Sequence, residues 1–212
     1  NDSPELLNMC KQSLQSYDKY VLDTNVLKML VITFFGYYVD PENTSRMGFS
    51  YDWFYKNLKN ADDTISLRPF IDLMKEAIKI WKEEKYKSQE TLSPILYQRY
   101  YIDKNVRKNA ASNYCEDLVR GANGNEPIRY LFAFYDEETS PRYKKISLRQ
   151  MLFEEMLSKV INKYKDKESM ADMTIDSLAT ILITNGIVKR ENYGRGNIYV
   201  FSFLYKYRLG LR

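Results

Sequence analysis

The sequence predicts a mainly α-helical protein: a helical bundle over residues 1–140, then a smaller helical domain over 141–212 that ends in a β-hairpin. Three observations carry this. Apolar residues recur at helical spacing through most of the chain, as in Phe70, Leu73, Met74, Ala77, Ile78 and Trp81. Helix boundaries are punctuated by Ser, Thr, Asp and Pro at starts and by Gly or Asn at ends. Only the last quarter holds two short β-rich runs separated by glycines, Ile187–Asn192 and Asn197–Phe203 around Tyr193-Gly194-Arg195-Gly196.

Taken in order, Ser3-Pro4 reads as a cap followed by a first-turn proline, with Leu7, Cys10, Leu14 and Tyr17 at helical spacing up to Tyr20. A second helix is expected from Thr24 or Asn25 to Val39, ended by Asp40-Pro41-Glu42-Asn43. It is apolar almost all round (Leu27, Leu30, Val31, Phe34, Phe35), which places it at the centre of the first core. Tyr51–Leu58 reads as a short aromatic helix and Asn60-Ala61-Asp62-Asp63 as a turn. A strong amphipathic helix follows from Pro69 to Glu84. Another starts near Pro94 and continues or restarts at Asp103, with Val106, Ala110, Tyr114 and Leu118 inward and an end at Gly121. Pro127–Tyr135 is aromatic and fits a helix, with a strand as the alternative.

In the last third, Ser147-Leu148-Arg149-Gln150 has the form of a capping box, which predicts Ser147 as the N-cap of a helix carrying Leu152, Phe153, Met156, Leu157, Val160 and Ile161. Lys165–Met173 is a charged connection with room for one helical turn. Thr174 caps the next helix, with Ile175, Leu178, Ala179 and Leu182 inward and Asn185-Gly186 as its close. Helix, short helix, helix and hairpin in this order describe a winged helix, so residues 141–212 are read as a winged-helix domain.

Charge agrees with a polyanion-facing C-terminal third. Residues 141–212 hold 14 Lys and Arg against 7 Asp and Glu, whereas residues 1–140 hold 18 against 21. In a winged helix the third helix lies on DNA and the hairpin reaches the adjoining backbone, with phosphate contacts supplying most of the affinity. Candidate nucleic-acid contacts are therefore Lys189, Arg190 and Arg195, with Tyr193 and Asn197 as hydrogen-bonding neighbours and Ser177 and Thr180 on the third helix. That helix offers no cation and carries Asp176, so base-specific readout has no obvious donor. Packing or protein contact by the same domain stays open as an alternative use.

Catalysis has little support. With no histidine, imidazole chemistry and His-metal sites are excluded. No G-x-x-x-x-G-K-[ST] occurs. The doublets Asp62-Asp63, Glu83-Glu84, Glu137-Glu138 and Glu154-Glu155 read as solvated charge, and the nineteen tyrosines as core packing. The chain is read as a non-enzyme without a cofactor. Cys10 and Cys115 form neither a zinc knuckle nor a disulfide scaffold, and read as reduced residues inside helices, which points to the cytoplasm. The longest apolar stretch, Met29 to Val39, is far short of the ~20 residues a membrane span needs.

Two patches carry a family resemblance. Ser66-Leu67-Arg68-Pro69-Phe70-Ile71-Asp72-Leu73-Met74 resembles the arginine-proline segment heading the helical lid of AAA+-like and STAND-like P-loop ATPases, with Phe70 where that pattern often has a second basic residue. Asn185-Gly186-Ile187-Val188 and the Leu209-Gly210-Leu211 ending are similar to the C-terminal winged helix of bacterial P-loop ATPases. The resemblance implies a piece of a larger bacterial ATPase, downstream of a nucleotide-binding core in the same polypeptide, with Arg68 sensing nucleotide phosphates. A chain beginning at Asn1 rather than Met is in keeping with that. Arg68 beside a helix N-terminus also suits a phosphate on physical grounds, and pairing with Asp62, Asp63 or Asp72 is the competing reading. The alternatives are a free-standing DNA-binding transcriptional regulator and a protein-interaction scaffold. The oligomeric state is not encoded in any motif.

Overall fold

A computed structural model describes residues 24–40, 47–64, 67–85, 98–120, 125–194 and 196–212. Helices dominate: α1 (Thr24–Phe35), α2 (Ser50–Leu58), α3 (Leu67–Lys85), α4 (Gln98–Ile102), α5 (Lys104–Arg120) and α6 (Glu126–Glu137) come first. Strand β1 (Ser147–Arg149), α7 (Gln150–Lys163), a 3-10 turn at Glu168–Met170, α8 (Ile175–Thr184), β2 (Val188–Tyr193) and β3 (Gly196–Phe201) follow. A second 3-10 turn (Phe203–Tyr205) and the short α9 (Lys206–Leu209) close the chain. The mainly helical class expected from the sequence is what forms, with one small antiparallel sheet. The expected first helix, Ser3 to Tyr20, and its Cys10 lie outside the described residues.

The chain divides into two compact units, one of residues 1–55 and 77–102, the other of residues 56–76 and 103–212. In the smaller unit an aromatic cluster forms the core. Phe35, Phe54 and Tyr101 meet with ring centroids 4.7–5.6 Å apart, and Trp53 adds an edge-on contact to Tyr101 at 5.3 Å. Such pairs contribute beyond their buried area, by about 1 kcal/mol each. Helix α1 ends at Phe35 rather than Val39, because Gly36 adopts φ +81° and donates its N–H back to the Ile32 carbonyl. The apolar residues after it do not extend the helix: Tyr38 bridges Phe49, and Val39 is fully buried. Phe34 and Met29 are exposed, so the helix is not enclosed on all sides as its composition suggested.

The larger unit is built on α6, α7 and α8, which touch one another pairwise, with the sheet against α7 and α8. Its strand order is β1-β3-β2. Ser147, Leu148 and Arg149 pair with Val200, Tyr199 and Ile198, and Val188–Tyr193 pair with Phe201–Gly196. Side chains therefore alternate: Leu148, Val188, Tyr199 and Phe201 turn inward, where Tyr199 stacks on Phe153 at 4.0 Å. Fully buried Tyr135 donates its hydroxyl to the Tyr143 carbonyl, tying α6 to the segment before β1.

The capping box at Ser147 does not form. Ser147 is the first residue of an exposed edge strand, and α7 begins three residues later behind Arg149, which makes no side-chain cap. Thr174, in contrast, caps α8 by accepting from the Ser177 N–H at 3.1 Å. Asp103 accepts from Asn105 and Val106 and so starts α5, which runs to Arg120; the expected stop at Gly121 lies outside the described residues. Within α5, Val106 and Ala110 are buried as expected, joined by Ala111 and Cys115, whereas Tyr114 and Leu118 are only part-buried.

The turn 59–64 docks on the end of α8. Ala61 donates to the Gly186 carbonyl at 2.7 Å, and Ser202 Oγ donates to the Lys59 carbonyl at 2.5 Å. Gly186 has φ +64°, and a Cβ there would fall 2.7 Å from Asn60 Cβ. Gly194 has a similar φ, +60°, but open space around it. Gly194→Ala should thus cost only the left-handed penalty, about 1–2 kcal/mol. Gly186→Ala adds a steric clash and should cost about 2–4 kcal/mol, read from urea unfolding; equal losses at the two sites would contradict the docking described. Burial pushes the Cys115 thiol up to about 12. Alkylation of native Cys115, followed by peptide mass spectrometry at mildly alkaline pH, should run roughly a thousandfold slower than for a free thiol. Because the folded value is raised, this residue's contribution to stability is intact below the ordinary thiol range and is lost as pH climbs toward 12.

Candidate nucleic-acid interface

The β2–β3 hairpin is closed by a two-residue loop between the paired Tyr193 and Gly196, with Gly194 in the left-handed region such loops demand. Strand β1 pairs only as far as Arg149 opposite Ile198. Beyond that point Asn192, Tyr193, Gly196 and Asn197 form a two-stranded extension. Tyr193 is 71% exposed at its end.

The pleat divides the expected contacts between two faces. Lys189, Glu191 and Tyr193 share one face with Ile198, Val200, Ser147 and Arg149. On that face Lys189 Nζ lies 2.7 Å from a Glu191 carboxylate oxygen, and this bond raises the lysine pKa, with a smaller contribution from Asp63. Arg190 lies on the opposite face, in the row of Tyr199 and Leu148. It is exposed and has no carboxylate partner among the described residues. Asn197 shares that face and donates to Gln150 Oε1 at 2.9 Å, so its amide holds the hairpin to the start of α7. Arg195 lies outside the described residues.

On α8, Ser177 and Thr180 are exposed on the same side of the helix. Their hydroxyls are engaged locally: Ser177 Oγ is 2.8 Å from Thr174 Oγ1, and Thr180 Oγ1 donates to the Asp176 carbonyl at 2.8 Å. The structure thus places Lys189, Arg190, Tyr193 and Asn197 on one hairpin and Ser177 and Thr180 on the helix that packs against its first strand.

Sequence reasoning missed a second set of cations. Lys145, Ser147 and Arg149 alternate along β1 and its lead-in and are all exposed, and neither cation has a carboxylate partner among the described residues. The period-two spacing was the available signal, hidden by the capping-box pattern laid over it.

Arg68 sits in the first turn of α3, on the same unit but away from these elements in sequence. Its Nε donates to both oxygens of Asp72, at 3.0 and 3.2 Å, and its Nη2 meets Asp117. Asp72 is 3% exposed, so the guanidinium serves a buried carboxylate, and its own pKa is raised chiefly by that hydrogen bond. Carboxylates occupy the fork that a phosphate would use.

No group of three or more acidic or cysteine side chains is placed to hold a metal ion among the described residues. Nor does any described helix have the length and apolarity to cross a membrane. No protein-family model, curated protein or solved structure matches the chain.

Removing the charge at Arg68 leaves Asp72 buried without the cation whose Nε–H its two oxygens share, a more damaging event than losing an exposed pair. Arg68→Gln should therefore lower the thermal midpoint clearly more than Arg120→Gln, whose partner Glu116 is exposed. Differential scanning calorimetry of the two variants decides it, and indistinguishable midpoints would mean Arg68 is not structural.

Proposed function

We propose that residues 126–201 form a winged-helix module that contacts the backbone of double-stranded DNA through its hairpin, with little discrimination between bases. In this reading α6, α7 and α8 are the three helices, β1 is the short strand after the first of them, and β2–β3 is the wing. The order helix, strand, helix, helix, strand, strand and the sheet order β1-β3-β2 support it. The observation that carries the contact itself is the hairpin, which presents exposed Tyr193 at its end and, level with β1, an exposed Arg190 free of carboxylate partners among the described residues. Arg149, on the opposite edge strand, lies on the sheet face of Tyr193 and adds charge there rather than beside Arg190.

Weak base discrimination follows from α8. The hydroxyls of Ser177 and Thr180 are engaged locally, no Arg, Lys, Asn or Gln lies in this helix to make a bidentate contact, and Asp176 repels phosphate. Lys189 contributes less than its charge suggests, because Glu191 neutralises it across 2.7 Å.

Fluorescence anisotropy with a labelled duplex tests the reading. Affinity should fall with salt, with a log–log slope of about −2 to −4 for a few phosphate contacts. Arg190→Ala should weaken binding by roughly threefold to tenfold, and Glu191→Gln should strengthen it by releasing Lys189. Binding that ignores salt, or that is unchanged in Lys189→Ala/Arg190→Ala/Arg195→Ala, would leave this module a packing or protein-contact domain.

A further inference from the structure

A second feature, independent of the hairpin, lies between α5 and α6. There a cavity of about 540 Å³ opens, within the size range of small-molecule sites. Its floor is apolar, made by Cys115, Val119, Phe132 and Ala133. Its rim carries four cations, Lys108, Arg120, Arg129 and Arg208, against two acids, Glu116 and Asp136.

The pairing within that rim is uneven. Arg208 is committed to Asp136 through two parallel hydrogen bonds, one of them 2.8 Å, and its guanidinium lies 5.5 Å from the Phe132 ring centroid. Arg120 pairs with Glu116 at 3.1 Å. These two pairs exhaust the lining carboxylates. Lys108 and Arg129 remain, both exposed and neither with a carboxylate partner among the described residues. An apolar floor with two unanswered cations at its rim is complementary to a molecule that is apolar at one end and anionic at the other.

We propose that this cavity binds a small amphipathic anion, an aryl or short acyl group bearing a carboxylate or a phosphate. The apolar body lies against Val119, Phe132 and Ala133, and the anionic head is held by Lys108 and Arg129. The bidentate Arg208–Asp136 pair fixes the wall, since it joins the end of the chain to α6. The proposal does not depend on the hairpin touching DNA.

Four probes separate the contributions: 1-naphthoate, 1-naphthyl phosphate, the neutral 1-naphthalenemethanol and inorganic phosphate. Each is titrated into the full chain by calorimetry, with methyl-region NMR shifts locating the site. Saturable binding of at least one naphthyl anion is expected, with shifts centred on Val119 and Ala133. Its affinity should exceed that of the neutral analogue and of inorganic phosphate by roughly tenfold or more. The preferred anion reports whether the head is carboxylate or phosphate. Lys108→Glu/Arg129→Glu, both at exposed positions that the core does not use, should reduce anion binding by a similar factor while leaving the folded far-UV circular dichroism spectrum unchanged. Equal binding of the neutral analogue, binding by inorganic phosphate alone, unchanged affinity in the double variant, or no saturation by either naphthyl anion at millimolar concentration would each overturn the proposal.

Discussion

The central strand β3 governs the larger unit. It is hydrogen-bonded on both edges, to β1 and to β2, and its inward residues Tyr199 and Phe201 are buried against α7. Because side chains alternate along a strand, burying Tyr199 and Phe201 fixes the face of every other residue in the sheet. A one-residue slip would bring Ile198 and Val200 inward and turn both aromatic rings to solvent. The same constraint dictates the electrostatics of the hairpin. Lys189 and Glu191 are forced onto one face, two residues apart, where they pair. Arg190 is forced onto the other, where no described carboxylate answers it. The cations that lie next to one another in the sequence are thus separated by the pleat.

The order of the larger unit also depends on what its turns admit. Gly186 ends α8 in a left-handed conformation and sits against Asn60, so the segment 59–64 closes over the turn between α8 and β2. Ser202, just past β3, holds the same segment by donating its hydroxyl to the Lys59 carbonyl. Arg107 does comparable work nearby: it donates to Tyr207 at 2.6 Å and to Asn57, and lies 4.0 Å from the Tyr207 ring centroid. Burial lowers its pKa, and the stack and hydrogen bonds are what allow a charge to remain there. Residues 56–64, α5 and the chain end are therefore joined through polar contacts around an apolar core.

The class of the fold and most helices were legible, because helical periodicity and capping are local signals. Thr174 is a good instance, since its partner is the N–H three residues on. What escaped was set by partners distant in sequence. Ser147-Leu148-Arg149-Gln150 satisfies the capping-box pattern, yet pairing with Val200, Tyr199 and Ile198 offers the backbone a ladder that buries Leu148. At Arg68 the sequence offers pairing with Asp72 beside a phosphate site, and Asp72 does pair; the partner it does not reveal is Asp117, far along the chain. The cavity between α5 and α6 left no sequence trace at all: its floor residues look like ordinary inward positions, and Arg208 reaches it from the far end of the chain.

Net charge is a poor guide to where a polyanion would touch this protein. The C-terminal third carries a clear excess of cations, but many are neutralised within the molecule. Arg142 meets Glu155, Lys163 meets Glu137, Lys167 meets Asp166, Lys189 meets Glu191 and Arg208 meets Asp136. Solvent-exposed pairs add little to stability, yet all of these pairs cancel part of the long-range field that would steer a phosphate backbone. The field that survives comes from cations without such partners, among them Arg190 on the hairpin and Lys145 and Arg149 along β1. With strands about 4.8 Å apart, a three-stranded sheet places its two edges roughly 10 Å from each other. Arg149 and Arg190 nonetheless lie on opposite faces of that sheet, so nearness of the edges does not by itself join them into one cationic surface. Surviving charge and its position, rather than the total, set the geometry of any contact.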